Sequence, residues 1–235
     1  MTKSRDKVPT QARNGEIDVF LKKLTSAPAL KSASERGRLM FALDATMSRE
    51  PSWDQACHIQ AEMFRETATI GGLEIQMVYF RGFGEFRATK WLADSTRLLK
   101  HMTRVYCLGG RTQIEKVLAH AAAETKRKRV NALVYVGDCM EEDPDRLCAL
   151  AGELGVLGVP AFVFHEGGEP MAKRTFLQIA RLTKGAYCPF DASSARQLRE
   201  LLSAVAVYAA GGRRALEDYS KKVGGVVLQI AHQVK

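Results

Sequence analysis

The stretch "GRLMFALDATMSREPSWDQ", residues 37–55, decides how the rest of the chain is read. Leu39, Met40, Phe41, Ala42 and Leu43 form an unbroken apolar run that stops at Asp44, and two hydroxyls follow at alternate positions, Thr46 and Ser48. Five apolar residues without polar alternation predict a strand covered on both faces, as in the interior of a parallel sheet. An acid and two spaced hydroxyls at its end then need an explanation, because open α/β sheets hold ligands beyond the carboxyl ends of their strands.

Outward from this stretch, strands and helices alternate. Strand-like runs are "RLMFALDA" (38–45), "LEIQMVYF" (73–80), "ALVYVGD" (132–138), "AFVFHE" (161–166) and "AYCPF" (186–190). In "RGFGEFRATKW" (81–91), Gly82 and Gly84 follow a strand and precede a second short one, which predicts a hairpin at the sheet edge. Helical patterns fall at about 52–69, 94–104, 112–128, 144–155, 171–183 and 194–210. The expected architecture is α/β: a doubly wound, mainly parallel six-stranded sheet with one antiparallel edge strand and helices on both faces. Such a fold places Asp44, Thr46 and Ser48 at the edge where the winding reverses.

Residues 1–36 are expected to form a disordered arm, because 1–14 carry charge and almost no large apolar side chains. A short amphipathic helix within that arm places Ile17, Phe20, Leu21 and Leu24 on one face. The main domain is expected over 37–211. Residues 212–235 form a helical extension that either docks back on the domain or serves a partner.

The 235 residues and the 46% hydrophobic fraction suffice for a full core. The net charge of +9 favours acidic partners; the plainer reading is a basic surface that serves solubility. Cys57, Cys107, Cys139, Cys148 and Cys188 are scattered, without a CxxC pair, which suits unpaired thiols in a reducing compartment. The polar N-terminus lacks the apolar middle of a secretory signal, and no apolar run is long enough to span a bilayer. A cytoplasmic location is therefore expected.

Three loops at the ligand edge carry oxygen donors: "DATMS" (44–48), "LGGRTQIEKVL" (108–118) with Thr112, and "LVYVGDCMEED" (133–143) with Asp138. Alternate spacing lets Asp44, Thr46 and Ser48 send their side chains to one side. Two carboxylates and three hydroxyls, with neither His nor Cys, make a hard donor set suited to Mg²⁺ or Mn²⁺.

In these positions residues 37–211 resemble the von Willebrand factor A family. That family's metal-ion-dependent adhesion site combines D-x-S-x-S after the first strand, a threonine in a later Gly-rich loop and an aspartate after the fourth strand. Asp44, Thr46 and Ser48 match the first element, with Thr46 in place of the middle serine; Thr112 matches the second and Asp138 the third. Where the family often reads T-D-G at the last element, this chain reads Gly137-Asp138-Cys139, which changes the local turn. The resemblance implies a protein-interaction module in which the cation binds a carboxylate supplied by another protein's Asp or Glu.

Taken singly, each residue has a simpler explanation. Ser52 or Thr112 would cap a following helix, and an aspartate at a strand end would cap a turn. An enzyme alternative is a Mg²⁺-dependent haloacid-dehalogenase-like phosphatase, which needs a second aspartate two residues after the nucleophile as general acid. Thr46 stands there instead, and nothing else presents a nucleophile or base, so binding rather than turnover is expected. A dinucleotide site would need a G-x-G-x-x-G turn that is missing after the first strand. A basic nucleic-acid-binding accessory role rests on "KRKR" (126–129), but these cations finish a helix, where they complement its dipole, and no aromatics interleave them. The five histidines are too dispersed for a zinc site, and Trp53 and Trp91 read as packing residues.

Overall fold

A computed structural model describes residues 36–50, 53, 73–190 and 195–234. The expected arm (all but Arg36) and nearly all of the expected helix at 52–69, Cys57 included, lie outside the described residues.

The first strand, β1 (Gly37–Asp44), is buried along its whole length. Its apolar run follows from its place in the sheet, with a parallel neighbour on each side. β2 (Leu73–Arg81) pairs with it from Gly37↔Leu73 to Asp44↔Phe80, and β4 (Ala132–Gly137) from Leu39↔Ala132 to Leu43↔Val136. The hairpin strand β3 (Glu85–Ala88) runs antiparallel on the β2 edge, while β5 (Ala161–Glu166) and β6 (Ala186–Phe190) extend the parallel side. The order is β3-β2-β1-β4-β5-β6, the six-stranded, mainly parallel sheet that the alternation implies. The winding reverses between β1 and β4, so the crevice of the sheet opens where Asp44 and Asp138 leave their strands.

Helices cover both faces. On one side Met40 and Ala42 of β1 pack with α2 (Ile114–Arg127), α3 (Pro144–Val156) and α4 (Pro170–Leu182). On the other, Leu39, Phe41 and Leu43 pack with α1 (Ser95–Met102), α5 (Ala195–Val223) and α6 (Gly225–Gln233). Period-two alternation along β1 thus serves two cores at once. Both α3 and α4 begin with Pro after an acidic cap: Asp143 accepts from Asp145 and Arg146 N–H, and Glu169 from Met171 and Ala172 N–H.

The helix expected over 194–210 ends at the Gly211-Gly212 pair, and a second helical stretch follows to Val223. Gly212 adopts φ 72° and breaks the helix locally, but Leu216 beyond it is buried in the same cluster as β1. Val227, Ile230 and Ala231 join that cluster, and the Gln233 side chain accepts from Tyr187 N–H (2.9 Å) and donates to Tyr187 O (3.2 Å). Of the two roles open to residues 212–235, docking on the sheet is the one observed. Among the described residues no helix is long and apolar enough to cross a membrane.

Candidate metal centre

Asp44 closes β1 with no exposed surface. The chain turns sharply after it, so that Thr46 N–H donates back to Asp44 Oδ1 at 2.8 Å and Thr46 Oγ1 lies 3.1 Å from Ser48 Oγ. The turn then runs into a single 3-10 turn, Met47–Arg49. Asp44 Oδ2 is buried and, among the described residues, has no hydrogen-bond partner; the same holds for Asp138 Oδ1 at the end of β4. Donor atoms of Asp44, Asp138 and Cys139 all lie within 4.8 Å of one another. Burial pushes the Asp44 carboxyl from its usual 3.8 up to about 7, against the bonds from Thr46; the Asp138 charge adds to the rise and Arg49 opposes it.

The "LGGRT" loop is stitched to this turn. Leu108 forms a parallel bridge with Thr46, and its N–H donates to Ala45 O at 3.1 Å. Gly82 N–H donates to Leu108 O (3.4 Å) and Arg111 N–H to Gly82 O (3.2 Å). A Cβ on Gly110 would sit 2.0 Å from Gly82 O, so only glycine allows this approach.

Thr112 comes from that loop but is bound to the segment after Asp138. Its N–H donates to Glu141 Oε2 (2.8 Å), its hydroxyl donates to Glu142 Oε2 (2.5 Å), and Glu141 N–H donates to Thr112 Oγ1 (3.0 Å). Thr112 does not cap α2. That helix starts one residue later with Gln113 at the cap, and Glu142 Oε1 takes the Glu115 N–H at 3.1 Å. The structure therefore gathers Asp44, Thr46 and Ser48 on one turn with Asp138 beside Asp44, while the Thr112 hydroxyl is engaged by Glu142.

Several supporting residues escape sequence reading. Arg49, fully buried, places Nη1 2.9 Å from Glu166 Oε2 at the end of β5. His165, also fully buried, has Nε2 3.0 Å from the Asp138 carbonyl oxygen and Nδ1 2.8 Å from Tyr187 Oη. A carbonyl can only accept, so Nε2 carries the proton, and the neutral ring accepts the Tyr187 hydroxyl at Nδ1. Burial holds the His165 pKa below its ordinary value, against the Asp138 bond and charge, in keeping with a neutral ring. One signal was available: β1, β4 and β5 each end in or lead into an acid (Asp44, Asp138, Glu166). Nothing in the sequence says which acid receives an arginine.

The residues fit a divalent cation. Two converging carboxylates, one of them completely buried with an orphaned oxygen, are costly side by side unless a positive charge compensates them. The hydroxyls of Thr46 and Ser48 add donors without adding charge.

The fold is that of von Willebrand factor A domains. The chain is similar to a von Willebrand factor type A protein from Catenulispora acidiphila (TM-score 0.59, 18% identity, 72% of this chain and 42% of that one). It is similar to the VWA domain of SpRpn10 (TM-score 0.58, 12% identity, 71% and 94%). A third similar structure is the pilus adhesin SpaC from Lactobacillus rhamnosus GG (TM-score 0.58, 9% identity, 74% and 30%). The chain thus spans less than half of the first and third of these proteins. No sequence-family model and no curated protein sequence matches it.

Proposed function

We propose that the protein is a metal-ion-dependent interaction module. Asp44, Thr46, Ser48 and Asp138 hold a divalent cation, Mg²⁺ or Mn²⁺ for these oxygen donors, and Thr112 joins them when released from Glu142. The observation that carries the reading is the pair of buried carboxylate oxygens, Asp44 Oδ2 and Asp138 Oδ1, unpartnered among the described residues, at the switch point of the sheet. Such a cation would supply an open electrophilic position for an Asp or Glu carboxylate of another protein.

The surroundings support a protein as that partner. Met47 and Leu108, on the two segments that bridge at Thr46, are exposed, as are Tyr106 and the hairpin residue Phe83, which is 88% exposed. Apolar side chains gathered around a polar site suit a protein surface. A cleft of about 330 Å³ lined by Gly82, Phe83, Gly84, Arg111, Gln113 and Lys116 opens next to Leu108, and its two cations favour an acidic segment. In this reading 37–211 is the interaction domain, 1–36 an arm and 212–235 an extension that completes the core. The unpaired thiols of Cys107, Cys139, Cys148 and Cys188 support a cytoplasmic setting.

The alternatives are not favoured. A phosphatase would need an acid where Thr46 sits with its hydroxyl against Ser48. Three of the four cations of the basic run are paired: Lys126 with Glu153 (2.7 Å), Arg127 with Glu124 (3.0 Å) and Lys128 with Glu74 (3.2 Å). That leaves a poor stripe for phosphates.

A cation bound only by the folded chain adds about 2.7 kcal/mol at a hundred times its dissociation constant, or roughly 5–10 °C of melting temperature at this size. Millimolar Mg²⁺ or Mn²⁺ should produce the shift, EDTA should reverse it, and Asp44→Ala should abolish it. The absence of any shift in the wild type would defeat the proposal.

A further inference from the structure

Cys139 is the residue at this centre that the all-oxygen reading leaves without a role. It follows Asp138 directly, and its sulfur lies within 4.8 Å of donor oxygens of both Asp44 and Asp138. Asp44, with no exposed surface, contributes an oxygen that is unpartnered among the described residues. The other described thiols stand elsewhere: Cys107 and Cys188 are buried in the apolar core, and the Cys148 thiol lies 3.0 Å from Gln178 Oε1.

We propose that Cys139 is a third anionic donor to the cation held by Asp44 and Asp138, and that it turns the centre toward thiophilic divalent ions, Zn²⁺ and Co²⁺, over Mg²⁺. The inference rests on the metal reading of the site and shifts the cation it prefers. On binding, the S–H bond gives way to a sulfur–metal bond and the displaced proton leaves to solvent; no electron is transferred. A sulfur–zinc bond is about 2.3 Å and an oxygen–zinc bond about 2.1 Å, so three donors within 4.8 Å of one another need only a small inward movement to share one ion. Carboxylate and hydroxyl oxygens alone favour hard cations, whereas one thiolate adds affinity for zinc and cobalt that magnesium does not share. The departure from T-D-G at positions 137–139 then has a chemical consequence. A glycine offers no donor, and Cys139 does.

The test titrates the full-length chain, kept reduced, with Co²⁺, whose thiolate complexes give an intense near-ultraviolet charge-transfer band. The band should appear in the wild type and in Cys148→Ser, and vanish in Cys139→Ser. Zinc affinity should fall about tenfold or more in Cys139→Ser, while magnesium affinity stays within about twofold. Cys139→Ala serves the same comparison should the serine variant melt early without metal. Cobalt binding without the band, or a band that persists in Cys139→Ser, would overturn the thiol donor and leave the oxygen site standing. No cation binding, or cation binding indifferent to Asp44→Ala, would remove the metal reading itself and this inference with it.

Discussion

Replacing Asp44 by Asn should stabilise the metal-free protein at alkaline pH, although it removes a charged side chain at the heart of the site. The argument starts from burial: desolvation raises the Asp44 carboxyl from 3.8 to about 7, opposed by the Thr46 hydrogen bonds. Between those two values the folded chain binds the proton that the unfolded chain releases. Stability therefore falls as pH rises through this window and levels off above pH 7. At about 1.4 kcal/mol per pH unit, the ionised Asp44 costs the apo protein up to about 4 kcal/mol at pH 8. A carboxamide keeps an oxygen for the Thr46 N–H bond and never ionises. Urea unfolding in EDTA should find wild type and Asp44→Asn within about 1 kcal/mol of each other at pH 4.5. The variant should be more stable by roughly 1–4 kcal/mol at pH 8, several degrees in melting temperature. Saturating cation should reverse the order, because only the wild type gains from it. A variant less stable than wild type at pH 8 in EDTA would refute the reasoning, since the buried charge would then be fully compensated within the protein.

Two further outcomes follow from local geometry. Gly110→Ala forces a methyl onto Gly82 O and should cost about 1–3 kcal/mol and weaken cation binding, whereas Gly109→Ala, with open space around its Cβ, should cost less; equal effects in urea unfolding would reject the stitched-loop account. Burial lowers the His120 pKa below its ordinary 6.5, with Glu124 pulling it up and Arg127 down, while its Nε2 sits 3.0 Å from Gln76 Oε1. Its contribution is therefore complete above pH 6.5 and lost as pH falls toward the folded value, opposite in sign to the Asp44 trend in the same window, so in the Asp44→Asn background His120→Gln should raise the urea midpoint at pH 5 relative to that at pH 6.5; an unchanged pH dependence would assign it to other groups.

What the sequence discloses here depends on how locally each interaction is encoded. The interior position of β1 is written in five consecutive apolar residues, and the D-x-T-x-S turn in alternate positions of one segment; both survive in the structure as a buried strand and a turn closed by Thr46 N–H. The end of the domain is less legible, because Gly211-Gly212 carries the local signature of a helix stop while Leu216 is held by the sheet. The helix does break at Gly212, as the glycine pair predicts, but no local signal says that the chain beyond the break stays on the same core. The partition of charge is least legible of all. Asp44, Asp138 and Glu166 stand at the ends of three neighbouring strands, β1, β4 and β5, and composition gives no reason to treat them differently. The difference comes from Arg49, which an ordinary reading would leave in solvent. The 3-10 turn that contains Ser48 carries Arg49 inward to Glu166, so the third acid is paired with an internal cation while the first two face each other with oxygens that are orphaned among the described residues. Had Arg49 paired with Asp44 instead, the same sequence motif would describe a filled salt bridge with no need for a metal. The motif supplies the donors; the inward turn of one arginine toward a different strand leaves two of them without a paired cation among the described residues, which is what the proposed metal reading requires.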